Sequence, residues 1–211
     1  MKNFETPLAI TMGDPSGIGP EIILKSVVET KLNNFVIFGD SLVFDSLIKS
    51  LGLPLTINKI SELSEAIFEE DYINLFETSK LNHLPHYGKI SKECGKASFD
   101  AIMKSIEFAK QGKVSGIVTA PISKKALNLA HINYPGHTEI LAGYSNNKAV
   151  SMMLLNKHIK TVLVTLHCSM KQALERITIQ NELDAIINAD LGCKLFGIEK
   201  PVIAVAALNP H

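Results

Sequence analysis

The chain has 211 residues, of which 46% are hydrophobic and 20% charged, so it can bury a sizeable core and global disorder is excluded. Lys+Arg and Asp+Glu both number 21, giving a formal net charge of zero. That balance argues against a dedicated nucleic-acid binder, which carries a basic excess.

In chain order, LAITM (8–12) reads as a first strand; this short apolar run, ended by Gly13-Asp14-Pro15, is too brief for a signal-peptide core. A helix follows over 20–31, with Pro20 at its start and Glu21 in its first turn, where an acid suits the helix dipole. FVIF (35–38) reads as a second strand, with helices over 41–50 and 61–70. LNHLPHYG (81–88) is the most loop-like stretch. A helix over 96–111, a strand GIVTA (116–120) and a helix over 122–130 come next. VSMMLL (150–155) and TVLVTL (161–166) read as strands. Ser169 and Gln172 have capping-box spacing at the start of a helix over 170–177. A helix over 179–195 and a strand VIAVAAL (202–208) complete the pattern. Several strands are apolar at consecutive positions, as in parallel sheets buried on both faces. The alternation predicts an α/β fold of three αβα layers around a mostly parallel sheet. The organisation expected is a first α/β region over 1–120 with the Gly-rich loop and a second over 121–211.

Cys94, Cys168 and Cys193 are widely spaced with no CxxC pair, which reads as neither a disulfide framework nor a zinc ribbon. A reducing cytoplasmic location is expected. No apolar run approaches the ~18 residues of a membrane span, so no membrane partner is expected.

Four stretches could carry chemistry. TMGDPSGIGPE (11–21) joins a strand to a helix, with Gly13, Gly17 and Gly19 allowing tight backbone and the helix start aiming N–H groups at a ligand. Its G-x3-G-x-G spacing is neither the dinucleotide fingerprint nor the P-loop, and a plain strand-to-helix turn is the alternative. In NYPGHTEILA (133–142), His137 and Thr138 precede a helical pattern and suit a phosphate; the bland reading has Thr138 merely capping the helix. HTE lacks the P-C-x-x-C of a zinc deaminase. His167 follows the TVLVTL strand and His211 follows VIAVAAL, so each imidazole sits past the carboxyl end of a buried strand, where ligand crevices lie. One such His is usually structural; two in equivalent positions could converge on one ion. His83 and His86 flank Pro85 and read as loop, Cys168 as a small buried residue, and Met152-Met153 as core. His131 and His158 have no partner pattern.

Taken together, GDPSGIGPE, VTAPISKKAL, YPGHTEILA and LNPH, in this order, resemble the 4-hydroxythreonine-4-phosphate dehydrogenase family of pyridoxal phosphate biosynthesis. The first loop is also similar to the GDGIGPE segment of isocitrate and isopropylmalate dehydrogenases, whose fold that family shares. The resemblance implies that His137 and Thr138 contact the substrate, chiefly its phosphate. It implies His167 and His211 as two ligands of a divalent metal (zinc, cobalt or magnesium), with neutral imidazoles suiting zinc, cobalt or nickel best. It further implies NAD or NADP as cofactor and a homodimer with its active site at the interface. The family takes a third metal-binding His and further substrate residues from beyond this stretch, so the C-terminal part of the fold is expected to be missing and the 211-residue chain alone to be inactive.

The reaction so implied oxidises a secondary alcohol beside a phosphorylated carbon and then loses carbon dioxide, giving 3-amino-2-oxopropyl phosphate. A metal would favour the alkoxide, and the phosphate would anchor the substrate remotely from the reacting carbon. Asp14, Lys124 and Lys125 are polar candidates for a general base, with solvated or salt-bridged roles as the alternative. Competing readings are a threonate-phosphate dehydrogenase, a phosphate acyltransferase-like enzyme, and a non-catalytic ligand-binding α/β domain.

Overall fold

The computed structural model describes residues 6–145 and 149–209, which fall into two compact units divided along the chain after Ser145. The boundary sought near 120–121 lies inside the first unit, at the end of a strand.

The first unit holds β1 (Leu8–Thr11), β2 (Phe35–Gly39), β3 (Thr56–Ile60), β4 (Tyr72–Glu77) and β5 (Gly116–Thr119). They form one sheet in the order β3-β4-β2-β1-β5, and every pairing is parallel. Ile10 pairs in register with Ile37 on one side and Val118 on the other. All five residues of β2 are buried, as expected for a central strand covered on both faces.

Two helix layers cover the sheet. On one face, Ile23, Leu24 and Val27 of α1 (Gly19–Thr30) and Val43, Phe44 and Leu47 of α2 (Ser41–Leu51) pack on Ile10, Phe35, Ile37 and Leu75. On the other, Ala101 and Phe108 of α3 (Lys92–Lys110) meet Ala9, Val36 and Phe38. The Phe38 and Phe108 rings meet edge to face at 5.1 Å, a contact worth about 0.5–1.5 kcal/mol beyond area burial. A satellite core joins α3 to α4 (Lys124–Leu129) and α5 (His137–Tyr144) through Ile102, Ile106, Leu127 and Ile140. The αβα layering and the parallel sheet read from the sequence are present.

The first unit differs from the sequence reading in two places. The helix expected over 61–70 is only a 3₁₀ turn at Leu63–Glu65. The Glu65 carboxylate turns back to accept from the Ser61 and Glu62 amides, and buried Asn74 takes up the Ile67 N–H and C=O. These bonds offer the backbone a local alternative to a helix. The other difference is β3 and β4 themselves, which the sequence reading did not include; Asn58, Lys59, Asn74 and Glu77 break up their apolar pattern.

The second unit contains the antiparallel pair β6 (Met152–Leu155) and β7 (Lys160–Leu163), followed by α6 (Met170–Arg176) and α7 (Ile179–Leu195). Asn156 Oδ1 accepts from the His158 and Ile159 amides at 2.8 Å and closes the hairpin turn. The Ser169–Gln172 capping box is formed. β7 stops at Leu163, so the strand expected over 161–166 is cut short. The expected strand over 202–208 has no ladder partner among the described residues, and Val202 is fully exposed.

Candidate functional site

In an open parallel sheet, ligands gather beyond the carboxyl ends of the strands, where successive connections leave toward opposite faces. β1 and β5 meet that condition. The chain leaves β1 for α1 on one face and leaves β5 for α4, which packs on α3 at the other.

The turn after β1 is locked against the turn after β5. Gly13 adopts φ 74°, and a Cβ there would lie 2.4 Å from the Pro121 carbonyl oxygen. Asp14 N donates to that same oxygen at 2.8 Å. Asp14 Oδ1 accepts from Ser16 N at 2.9 Å and Ser16 Oγ at 2.8 Å, so this buried carboxylate organises its own turn. Gly13 is therefore required by chain-on-chain contact. Lys124 and Lys125, in the first turn of α4, are exposed.

His137 opens α5, which is preceded by the extended residue Gly136 with no side-chain cap. Thr138 therefore does not cap the helix, contrary to the bland reading, and the first-turn amides keep their donors free of intrahelical partners. His137 Nε2 is buried without a hydrogen-bond partner. Burial pushes the imidazole below its ordinary pKa, while the nearby Ala120 backbone carbonyl pulls the other way. A buried, neutral nitrogen beside an uncapped helix start is a place where a ligand atom would restore a missing bond. The ring thus sits on the β5 turn that Gly13 also touches.

His167 lies in the second unit, four residues beyond the end of β7, exposed and with φ 45°. Its ring has no hydrogen-bond partner among the described residues, which leaves both nitrogens available. His211 lies outside the described residues. Among the described residues no group of three His, Cys, Asp or Glu side chains is arranged to hold a metal. The donor chemistry of His167 suits a divalent cation, but the described chain supplies it alone. Cys168 is half-buried, and His131 and His158 are exposed. His83 and His86 lie in the loop between β4 and α3, as expected. That loop also carries Lys80 and Lys89, which sequence reasoning passed over; their signal was the length of the loop itself.

Comparison with known proteins places these features in context. A family model described as "Pyridoxal phosphate biosynthetic protein PdxA" matches residues 31–211. A 4-hydroxythreonine-4-phosphate dehydrogenase of Beijerinckia indica subsp. indica is 46% identical over all of this chain and 63% of its own length. A protein of Fusobacterium nucleatum provisionally named D-threonate 4-phosphate dehydrogenase is 35% identical over 99% of this chain and 64% of its own. The crystal structure of 4-hydroxythreonine-4-phosphate dehydrogenase from Klebsiella pneumoniae superposes with a TM-score of 0.89 at 33% identity, covering 98% of this chain and 65% of that one. The chain thus spans a little under two thirds of the length of these relatives.

Proposed function

This chain belongs to the PdxA family of pyridoxal phosphate biosynthetic proteins, and from that premise we propose that it serves in the NAD(P)-dependent, metal-assisted oxidation of 4-phosphooxy-threonine, followed by decarboxylation to 3-amino-2-oxopropyl phosphate. The observation that carries this reading is the unpartnered His137 Nε2 beside the uncapped start of α5. The dehydrogenase names of the relatives support the class of reaction.

In this reading the substrate phosphate lies at the first turn of α5, held by backbone amides, the Thr138 hydroxyl and His137 Nε2. His137 binds the phosphate as the imidazolium, with one ring N–H on the Ala120 carbonyl and Nε2–H on the phosphate, whose negative charge offsets the burial that lowers the free imidazole's pKa. Anchoring the phosphate fixes the neighbouring carbinol carbon and spends remote binding energy on orientation. When bound, the nicotinamide accepts hydride and a divalent cation supplies Lewis acidity. His167 and His211 are the ligands we assign to that cation, completed by groups outside these residues. The active unit in this reading is a cytoplasmic homodimer; no described helix is long and apolar enough to cross a membrane.

A second substrate, D-threonate 4-phosphate, is favoured by the Fusobacterium relative. It differs by a hydroxyl where the amino group stands. The test is an assay of the full-length protein with each substrate, each nicotinamide cofactor and a divalent metal. Nicotinamide reduction with release of carbon dioxide from 4-phosphooxy-threonine is the expected result. Preferential turnover of the threonate ester would reassign the substrate, and no reduction with either would overturn the reading.

A further inference from the structure

The connection from β4 to α3, residues 78–91, contains no helix or strand, yet it is fastened at both ends. Asp40, 1% exposed, caps α2 through Leu42 N and also accepts from Ser79 Oγ at 3.0 Å and Leu81 N at 2.8 Å. Near the other end, Gly88 N donates to the Ser16 carbonyl at 2.8 Å, joining the loop to the turn after β1. An irregular loop of this length in a compact unit is commonly functional. It lies, with the start of α3, at the carboxyl end of the parallel sheet.

Between this loop and the first turns of α3 is a cavity of about 340 Å³, within the range of small-ligand sites. Its charged lining is Lys80, Lys89 and Lys96 against Glu93 and Asp100, with His83 and His86 beside them. Both acids are already engaged. Asp100 accepts from Lys96 at 2.6 Å, and Glu93 turns back onto its own amide and the Ser91 hydroxyl. Lys80 and Lys89 have no ion-pair partner among the described residues. The cavity therefore presents two ammonium groups without a direct ion pair, beside His86 and beside His83, which lies within electrostatic reach of the Glu93 carboxylate. A free phosphate or phosphomonoester, with three terminal oxygens, or a dinucleotide pyrophosphate, with two charges shared over four, satisfies such a set better than the single charge and two oxygens of a carboxylate.

We propose that this cavity is a phosphoryl-binding pocket, built by the β4–α3 loop and separate from the phosphate position at α5. Its occupant is either a phosphate of the nicotinamide dinucleotide or a free phosphate anion; only the first rests on the dehydrogenase reading. The test uses the full-length protein, with the histidine side-chain carbons labelled, titrated separately with inorganic phosphate, NAD and NADP. Saturable shifts of the His83 and His86 resonances with phosphate identify the free anion as occupant. Shifts with a dinucleotide alone identify the cofactor, and either result supports the pocket. Lys80→Gln/Lys89→Gln should weaken the responding ligand about tenfold or more, the scale of lost charge-assisted bonds, with the other histidine resonances unmoved as the control on folding. No saturable shift with any of the three, or unchanged affinity in the double variant, overturns the pocket. Turnover of 4-phosphooxy-threonine, measured in parallel, decides the reaction independently: turnover without pocket shifts discards only the pocket, and pocket shifts without turnover discard only the reaction.

Discussion

His137 joins burial, an unmet hydrogen bond and a depressed pKa in one side chain. Its unfolded counterpart takes up a proton near pH 6.5, while the folded imidazole does so only at lower pH. Acidification therefore protonates the unfolded chain first. Folding stability is fully present above pH 6.5 and declines as pH falls toward the folded value. His137→Gln should flatten that part of the stability profile in denaturant titrations, and in turnover it should raise KM for the phosphorylated substrate about tenfold with a smaller effect on kcat. An unchanged KM would remove His137 from the phosphate site. At Gly13, an alanine meets both a left-handed backbone and the Pro121 oxygen. Gly13→Ala should cost about 2–5 kcal/mol by chemical denaturation, combining the positive-φ penalty with overpacking. The Pro-Gly-His-Thr run made His137 and Thr138 legible in the sequence. The unmet bond of Nε2 was not, because burial is set by packing between segments distant in sequence, Ala120 standing 17 positions earlier, and no local pattern records it.

α3 is the element that ties the first unit together, since it packs on β1, β2, β5 and α4. Its approach to α4 runs through Gly95, where a Cβ would sit 2.0 Å from the Ala126 carbonyl oxygen. Helix propensity alone would favour alanine at this position by about 1 kcal/mol. Here the obstacle is backbone, which cannot rotate aside, so Gly95→Ala should instead lower stability by about 1–3 kcal/mol in thermal or denaturant unfolding. Helices α1, α2, α3, α4, α6 and α7 were visible because each has an apolar face, a cap or both. The start of α3 was placed late, at 96 rather than Lys92, because polar Lys92 and Glu93 hide the first turn that Ser91 caps at Cys94 N. β3 and β4 were hidden by side chains serving local purposes: Asn58 and Asn74 bond each other across the pair at 2.9 Å, and Lys59 reaches Ser41 at 2.7 Å.

For the molecule as a whole, the parallel sheet with its helix layers and, in the second unit, the hairpin and both helices were readable, whereas the missing pairing of 202–208 among the described residues was not. A helix makes its own hydrogen bonds, whereas a strand exists only where a neighbour offers an edge. VIAVAAL (202–208) has the composition of a buried strand and no partner among the described residues. The metal role proposed for His167 requires further ligands from outside the described residues. In the full-length protein, His167→Ala should lower divalent-metal affinity by at least about tenfold, read as bound metal per chain by elemental analysis. Unchanged metal content would withdraw the assignment.

The order of the sheet also sets a timetable for synthesis. β1 lies between β2 and β5, and the amide of Ser115, just ahead of β5, bonds Pro7 across 108 residues of chain. At about 5–20 residues per second, the ribosome leaves one flank of β1 waiting roughly 5–20 s for its neighbour. During that interval the growing sheet exposes a row of unsatisfied amides and carbonyls. Nascent chains of this protein should therefore be most dependent on chaperones between the emergence of β2 and that of β5.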